Sequence, residues 1–201
     1  MPTIRGKNID VLFDAERLHR RCWAMAREVA EAMASASPSE ASGETRPMTG
    51  EEAPLVIAVL KGSFIFAADL IRAMHGAGLS PDVEFITLSS YGEGTVSRGV
   101  RIVKDIDSDV AGRDVILVDD ILESGRTLDF AATLMRERGA RSVRIVVLLD
   151  KPGHRKAAID ADHVGFECPD LFVVGYGMDA AYAYRELPFV GVVRDDEVRD
   201  D

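Results

Sequence analysis

Short, continuous runs of apolar residues alternate along the chain with longer stretches in which apolar residues recur every three or four positions. Runs that are apolar, or nearly so, cover residues 55–60, 115–118 and 143–149, and a further strand is predicted over residues 83–88. Runs of this length are typical of strands that are buried on both faces. The periodic stretches predict helices over residues 15–36, 64–76 and 127–138. Because strands and helices alternate at this spacing, the pattern predicts βαβ units and an α/β fold with a mainly parallel sheet.

The remaining segments complete the predicted organisation. Residues 99–104 are expected to form a hairpin with the strand before them, and short β segments are expected at residues 164–166 and 171–174. Residues 35–54 are rich in Ser, Ala, Glu, Gly, Thr and Pro, which is typical of a mobile surface loop. Residues 194–201 are a charged tail. We expect a single domain over residues 1–201.

Composition and charge narrow the class of protein. Apolar residues make up 47% of the 201 residues, which is enough for a sizeable core, and the net charge is −10. An acidic chain has no electrostatic attraction for nucleic acid or anionic membranes, so we expect neither partner. No apolar run approaches the ~18 residues of a membrane span. Two cysteines and no signal-peptide pattern at the N-terminus predict a soluble, cytoplasmic protein in a reducing compartment.

One stretch, residues 115–128, concentrates the candidate chemistry. An apolar strand leads to Asp119 and Asp120, a polar loop with one glycine follows, and a helix pattern begins at Thr127. Open α/β sheets bind ligands at this end of a strand. The N–H groups of residues 124–127 suit a phosphate, and the two carboxylates suit sugar hydroxyls or a hydrated metal. The alternative is an acidic strand end before a capped helix. The glycine spacing excludes a Walker loop and a dinucleotide fingerprint.

The complete pattern of this stretch resembles the ribosyl-diphosphate-binding motif of type I phosphoribosyltransferases. Four further patches follow the order of that family, at residues 60–63, 89–92, 149–152 and 164–179. Together they resemble bacterial hypoxanthine-guanine phosphoribosyltransferases over about residues 9–193, apart from residues 35–54. The resemblance implies the type I phosphoribosyltransferase fold, a twisted, mainly parallel central sheet flanked by helices. It also implies a small hood built from the N- and C-terminal segments.

The resemblance implies a role for each residue that matches the family's motifs. The substrate-binding residues would be Lys61, Gly62, Ser90, Tyr91, Asp119, Asp120, Glu123, Ser124, Gly125, Arg126, Thr127, Lys151, Phe172, Val173 and Arg185. The Mg²⁺ ligands would be Asp119, Asp120 and Asp179. The catalytic, proton-handling acid would be Glu123, at a position where these enzymes usually carry Asp.

The resemblance also implies which part of the two substrates each of these residues contacts. The two aspartates would hold the ribose hydroxyls and the Mg²⁺ shell. Residues 123–127 would hold the 5′-phosphate. Lys61-Gly62, through a cis peptide, would bind the pyrophosphate together with Arg185. On the purine, Lys151 would donate to O6, Phe172 would stack, and the Val173 backbone would meet the edge. Ser90 and Tyr91 would close as a lid. The sequence of residues 89–95 is compatible with a lid, since the stretch carries hydroxyl groups and its two glycines let the backbone bend freely.

Taken singly, these residues have simpler explanations. Lys151 before a proline is compatible with a solvated turn, Phe172 with core packing, and Asp179 with the start of a turn. Arg185 is compatible with a surface ion pair of little energetic value. We assign no role to His154, which looks like a surface residue.

The implied activity belongs to purine salvage. It is the Mg²⁺-dependent transfer of the 5-phosphoribosyl group from phosphoribosyl diphosphate to hypoxanthine or guanine, giving IMP or GMP and pyrophosphate. The alternative is a regulatory module that binds the diphosphate without catalysis. Relatives of that kind act on RNA or DNA and need a basic surface, which a net charge of −10 argues against. A generic phosphate-binding protein needs no purine platform. The resemblance implies a homodimer or homotetramer.

Overall fold

The computed structural model describes residues 2–36, 53–90 and 99–194. The helices are α1 (Ala15–Ala36), α2 (Phe64–Gly76) and α3 (Arg126–Glu137). The strands are β1 (Thr3–Ile4), β2 (Lys7–Phe13), β3 (Leu55–Leu60), β4 (Asp82–Ser90), β5 (Val100–Lys104), β6 (Asp114–Leu122), β7 (Ser142–Asp150), β8 (His163–Glu167), β9 (Val173–Val174) and β10 (Val190–Arg194). The predicted mobile loop lies almost entirely outside the described residues, as do Tyr91 and the charged tail beyond Arg194.

Six strands form the central sheet in the order β5-β4-β3-β6-β7-β8. All neighbours in it are parallel except the hairpin of β4 and β5, as predicted. Alternate residues of β3 point to opposite faces, so Val56 and Ala58 pack under α1 and α2, whereas Leu55 and Ile57 pack under α3. Both faces of β3 are therefore buried, which explains why this strand is continuously apolar. The expectation of burial on both faces is wrong for β4, where Val83 and Phe85 are exposed.

The second sheet is built from the two ends of the chain. Its four strands follow the order β1-β2-β10-β9, and all their pairings are antiparallel. This is the hood that the resemblance implied. The apolar run at residues 171–174 forms only the two-residue strand β9, and β10 was not predicted.

Two element boundaries differ from the predicted ones. The strand β6 does not end at the acids but continues through Asp119 and Asp120 to Leu122, because it stays paired with β7 up to Asp150. Ser89 and Ser90, predicted in a loop, extend β4 through their pairing with β5. Within the described ranges, no helix is long and apolar enough to cross a membrane.

Asp114, the first residue of β6, forms an ion pair with Arg141. This pair predicts that the fold loses stability at acidic pH. The Asp114 carboxylate accepts hydrogen bonds from Arg141 Nε at 3.0 Å and from Ser142 Oγ at 2.6 Å. The hydrogen bond from Arg141 lowers the pKa of Asp114 below its ordinary value. A lowered pKa means that the stabilisation is complete above the unfolded-state pKa and is lost as the pH falls through the folded-state pKa.

We therefore expect Asp114→Asn to lower the free energy of unfolding by about 1–2 kcal/mol at pH 7. The difference from the wild type should shrink as the pH is lowered below about 4. Urea unfolding at pH 7, 5 and 3.5 measures both effects, with the exposed Asp107→Asn as the control. A difference that stayed constant with pH would contradict the role of the Asp114 charge.

Candidate active site

The carboxyl ends of the parallel strands bring the predicted residues together at one edge of the central sheet. Lys61 and Gly62 follow β3, the two aspartates lie near the end of β6, and Lys151 follows β7. Two adjoining cavities open there and share residues 60–62 together with Asp120 and Glu123. Residues from distant parts of the sequence thus face one continuous depression.

The first cavity combines the acids with the loop that precedes α3. It is lined by Asp119, Asp120, Glu123, Ser124, Gly125 and Thr127 among others. Arg126, also predicted to bind substrate, begins α3 and is not among the lining residues. The first N–H groups of an α-helix have no acceptor within the helix, so this loop offers donors to an anion.

The loop is braced from outside the cavity. The N–H groups of Lys156 and Ala157 donate to Ser124 O at 2.9 and 3.1 Å, and Arg155 donates to Glu123 O at 3.0 Å. Gly125 has φ +78°, and a Cβ there would lie 2.7 Å from the side chain of Ile159. These contacts support the backbone of the loop around the cavity.

The two aspartates have the properties of cation ligands. Asp119 is buried, and burial together with the negative charge of Asp120 raises its pKa well above the ordinary value. Burial raises the pKa of Asp120 as well. Their Oδ1 atoms accept the N–H groups of Asp120 and Ile121 at 2.9 Å each. A bound cation would relieve the repulsion between the two carboxylates, and Mg²⁺ takes one or two carboxylates and keeps several waters. The donor set therefore fits Mg²⁺.

The second cavity contains a buried cation and an exposed aromatic ring. Lys151 is only 6% exposed, and its Nζ donates to Leu171 O at 2.6 Å. Phe172 is 66% exposed although it belongs to an apolar segment. A solvated turn lysine and a core phenylalanine are therefore both excluded. An ammonium has three donors, so Lys151 can serve a ligand in addition to Leu171. Val173 also lines this cavity, with Met178.

Asp179 and Arg185 lie at the far wall of the second cavity and bind each other. Arg185 donates to Asp179 Oδ1 at 2.6 Å and to Gly177 O at 2.7 Å. Asp179 Oδ2 accepts the N–H of Tyr182 at 2.8 Å. Asp179 does start a turn, as its alternative explanation held, and it also lines the cavity. Arg185 pairs with this cavity acid rather than with a distant surface group.

Close backbone packing connects the two cavities. The peptide bond between Leu60 and Lys61 is cis. A Cβ on Gly62 would lie 1.7 Å from Asp120 Oδ2, and a Cβ on Gly177 would lie 2.1 Å from Gly62 O. Only glycine fits at either position, because both gaps are far below ordinary van der Waals contact. The three residues form a layered contact that holds the Lys61 loop between the acids and the hood.

The sequence reasoning overlooked one prominent residue of the cavity. Tyr182 lines the second cavity, is 86% exposed and has φ +66°. The sequence offered one signal for Tyr182, namely its position three residues after the predicted Mg²⁺ ligand Asp179. Of the predicted lid, Tyr91 and the Ser90 side chain lie outside the described part of the chain.

Comparison with known proteins gives consistent matches. The family model of the phosphoribosyl transferase domain matches residues 23–181. Hypoxanthine-guanine phosphoribosyltransferase of Bacillus subtilis is 52% identical over 142 residues, which cover 70% of this chain and 77% of that protein. Hypoxanthine phosphoribosyltransferase of Escherichia coli is 44% identical over 140 residues, which cover 69% and 77%. A mutant of the Trypanosoma cruzi hypoxanthine phosphoribosyltransferase, complexed with the product IMP, superimposes with a TM-score of 0.83 at 33% identity, covering 96% and 95% of the two chains.

Proposed function

This chain belongs to the phosphoribosyl transferase domain family, and we propose that it is a Mg²⁺-dependent hypoxanthine-guanine phosphoribosyltransferase of purine salvage. It transfers the 5-phosphoribosyl group of phosphoribosyl diphosphate to the base and releases pyrophosphate. The observation that supports this most is the buried Lys151 beside the exposed Phe172, in a cavity that continues into the acids and the phosphate loop. We propose a cytoplasmic homodimer or homotetramer.

The diphosphate occupies the first cavity and the wall shared with the second. Residues 124–127 hold the 5′-phosphate through backbone N–H groups, and Asp119 and Asp120 hold the ribose hydroxyls. Lys61, Gly62 and Arg185 face the pyrophosphate. The two cations among them offset the charge that accumulates on pyrophosphate as its bond to the anomeric carbon breaks. Asp119, Asp120 and Asp179 would hold Mg²⁺, which would supply Lewis-acid neutralisation of the same charge.

The purine lies in the second cavity, where three contacts select it. Phe172 stacks on the ring, and the Val173 backbone meets its edge. The Lys151 ammonium donates to O6. An ammonium has no acceptor lone pair, so the amino group of adenine would face another donor, and a buried donor left unpaired is costly. This selects a 6-oxopurine over a 6-aminopurine.

Glu123 handles the proton of the base. It lines both cavities, so it lies between the ribose side and the purine side of the site. As the new bond forms at the base nitrogen, the purine becomes more acidic, and a nearby carboxylate accepts its proton. Glutamate is one methylene longer than the aspartate that the resembled enzymes usually carry. Its carboxylate must therefore be placed differently, although its chemistry is the same.

The proposal is tested by turnover. The purified protein, Mg²⁺ and phosphoribosyl diphosphate are mixed in turn with hypoxanthine, guanine, xanthine, adenine and uracil, and nucleotide and pyrophosphate are measured. We expect nucleotide from hypoxanthine or guanine, at least about 100-fold less from adenine and uracil, and loss of activity with excess chelator. If the diphosphate binds but no base is converted, the regulatory alternative replaces this proposal. Retained activity in chelator would contradict the requirement for a metal.

A further inference from the structure

The wall that faces the pyrophosphate in the proposed function is assembled from two separate parts of the chain. Lys61 and Gly62 lie in the loop between β3 and α2, the Lys61 loop. Asp179 and Arg185 lie between β9 and β10, within residues 175–187, hereafter the hood segment. A ligand that contacts both parts needs them at a fixed separation, because a misplacement of about 1 Å can cost about 100-fold in rate.

The backbone of the hood segment forms hydrogen bonds within the segment itself. The N–H of Tyr176 donates to Leu187 O at 2.9 Å, and the N–H of Gly177 donates to Arg185 O at 3.0 Å. These two bonds do not connect the segment with the Lys61 loop. Tyr176 has φ +52°, a conformation that a residue with a side chain rarely adopts and that persists where surrounding contacts hold it. The contacts of the Tyr176 side chain are therefore of interest.

The buried side chain of Tyr176 connects the hood segment to α2. Its hydroxyl donates to Asp69 Oδ2 at 2.5 Å, and Cys22 Sγ lies 3.5 Å from the same hydroxyl. The other oxygen of this carboxylate, Oδ1, pairs with Arg72. Asp69 belongs to α2, and this helix begins two residues after Gly62. The hydrogen bond from Tyr176 thus joins the hood segment to the helix that continues directly from the Lys61 loop.

We propose that Tyr176 is a positioning residue: its hydrogen bond to Asp69 sets the separation between Arg185 and the Lys61 loop, and thereby the affinity for pyrophosphate. This inference rests on the proposed function. The purine side of the site is held in another way, since Val173 lies in β9, which pairs with β10. Loss of the Tyr176 hydroxyl should therefore weaken the binding of pyrophosphate and leave the binding of the base unchanged.

The reverse reaction, from IMP, Mg²⁺ and pyrophosphate, tests this claim. The variant is Tyr176→Phe, which keeps the ring and removes the hydroxyl. We expect the pyrophosphate concentration at half-saturation to rise about tenfold. The hypoxanthine concentration at half-saturation in the forward reaction should stay within about twofold. Urea unfolding of each variant establishes that the assays are made on folded protein. A variant that had only lost stability would show neither change while it is folded.

A double-mutant cycle assigns the effect to the hydrogen bond itself. Asp69→Ala should raise the pyrophosphate concentration at half-saturation as much as Tyr176→Phe does, and the double variant should match either single variant within about twofold. Asp69→Asn keeps an acceptor oxygen for the hydroxyl, so it should stay within about threefold of the wild type. Tyr184→Phe is the matched control, since it removes a hydroxyl from another buried tyrosine, next to Arg185, and should change neither quantity.

The outcomes are distinct for the two proposals. The role of Tyr176 is overturned, with the proposed function intact, if Tyr176→Phe leaves the pyrophosphate requirement of an active enzyme unchanged or weakens base binding by the same factor. It is also overturned if the two changes add in the double variant. If Tyr176→Phe does not fold, the comparison of Asp69→Ala with Asp69→Asn decides, and equal pyrophosphate requirements overturn the role. A wild type that converts no 6-oxopurine overturns both proposals.

Discussion

Lys151→Ala should lower kcat/KM for hypoxanthine and guanine by about 10²–10³-fold, the largest loss that we expect from any single side chain. Lys151 is 6% exposed and its ammonium donates to Leu171 O, so in the proposed site the purine O6 would meet a donor that is already fixed. In the proposed site, its removal takes away a hydrogen bond from a charged, buried donor. The binding of phosphoribosyl diphosphate should change by less than about threefold, because Lys151 does not line the first cavity.

Two further variants sharpen this prediction. Lys151→Gln offers an amide that can accept as well as donate, so the preference for hypoxanthine over adenine should fall by at least about tenfold. Lys104→Ala removes an exposed lysine on the edge strand β5 and serves as the control of equal charge change. Steady-state kinetics with both bases measure these ratios. Unchanged kcat/KM for hypoxanthine in Lys151→Ala would remove Lys151 from the site.

Gly177→Ala should lower kcat/KM by about 100-fold or more through backbone displacement alone. The new Cβ would lie 2.1 Å from Gly62 O, which is backbone and cannot swing away. Gly62 in turn has no room to move, since it lies against the Asp120 carboxylate. The displacement therefore reaches the Lys61 loop and the acids together, and it also moves Gly177 O, which accepts from Arg185.

A second glycine separates this steric effect from backbone strain. Gly177 has φ +104° and Gly78 has φ +85°, a region that costs a residue with a side chain about 1–2 kcal/mol. A Cβ on Gly78, however, meets nothing within 4 Å. Gly78→Ala should therefore lose that stability and keep kcat/KM within about twofold. Urea unfolding measures the loss of stability in both variants, and steady-state kinetics measure the loss of kcat/KM, so the two effects are separated. A folded Gly177→Ala enzyme with wild-type kcat/KM would show that the layered contact does not govern the site.

The regular elements were largely predictable because their signals are local. Continuous apolar runs predicted β3 and β7, and the apolar periodicity predicted α1 over the residues it occupies. The strands of the hood were harder to predict from the sequence. β9 has two residues, and β10 gains its place only by pairing with β2 from the other end of the chain. A strand that is defined by a distant partner leaves little trace in its own sequence.

The order of motifs was enough to predict the family and the candidate site residues, because the strand–loop–helix pattern and the patch around Lys151 are each contiguous in the chain. The exposure of the individual side chains, in contrast, was not predictable from these motifs. Phe172 reads as a core residue from its apolar neighbours, yet it is 66% exposed. Lys151 reads as a surface residue from its type, yet it is buried. Exposure depends on which segments pack above a residue, and Lys151 contacts the segment of Leu171, which lies 20 residues further along the chain.

By itself, the sequence determined the βαβ succession, the sheet's apolar core and the set of acids, cations and loop residues at the strand ends. These depend on periodicity and on residues next to each other in the chain. Only the tertiary structure decided that the acids lie within β6, that Asp179 meets Arg185 and that Gly177 rests on Gly62. Contacts of that kind depend on strand register and loop course, which bring distant residues within a few ångströms and which no local pattern encodes.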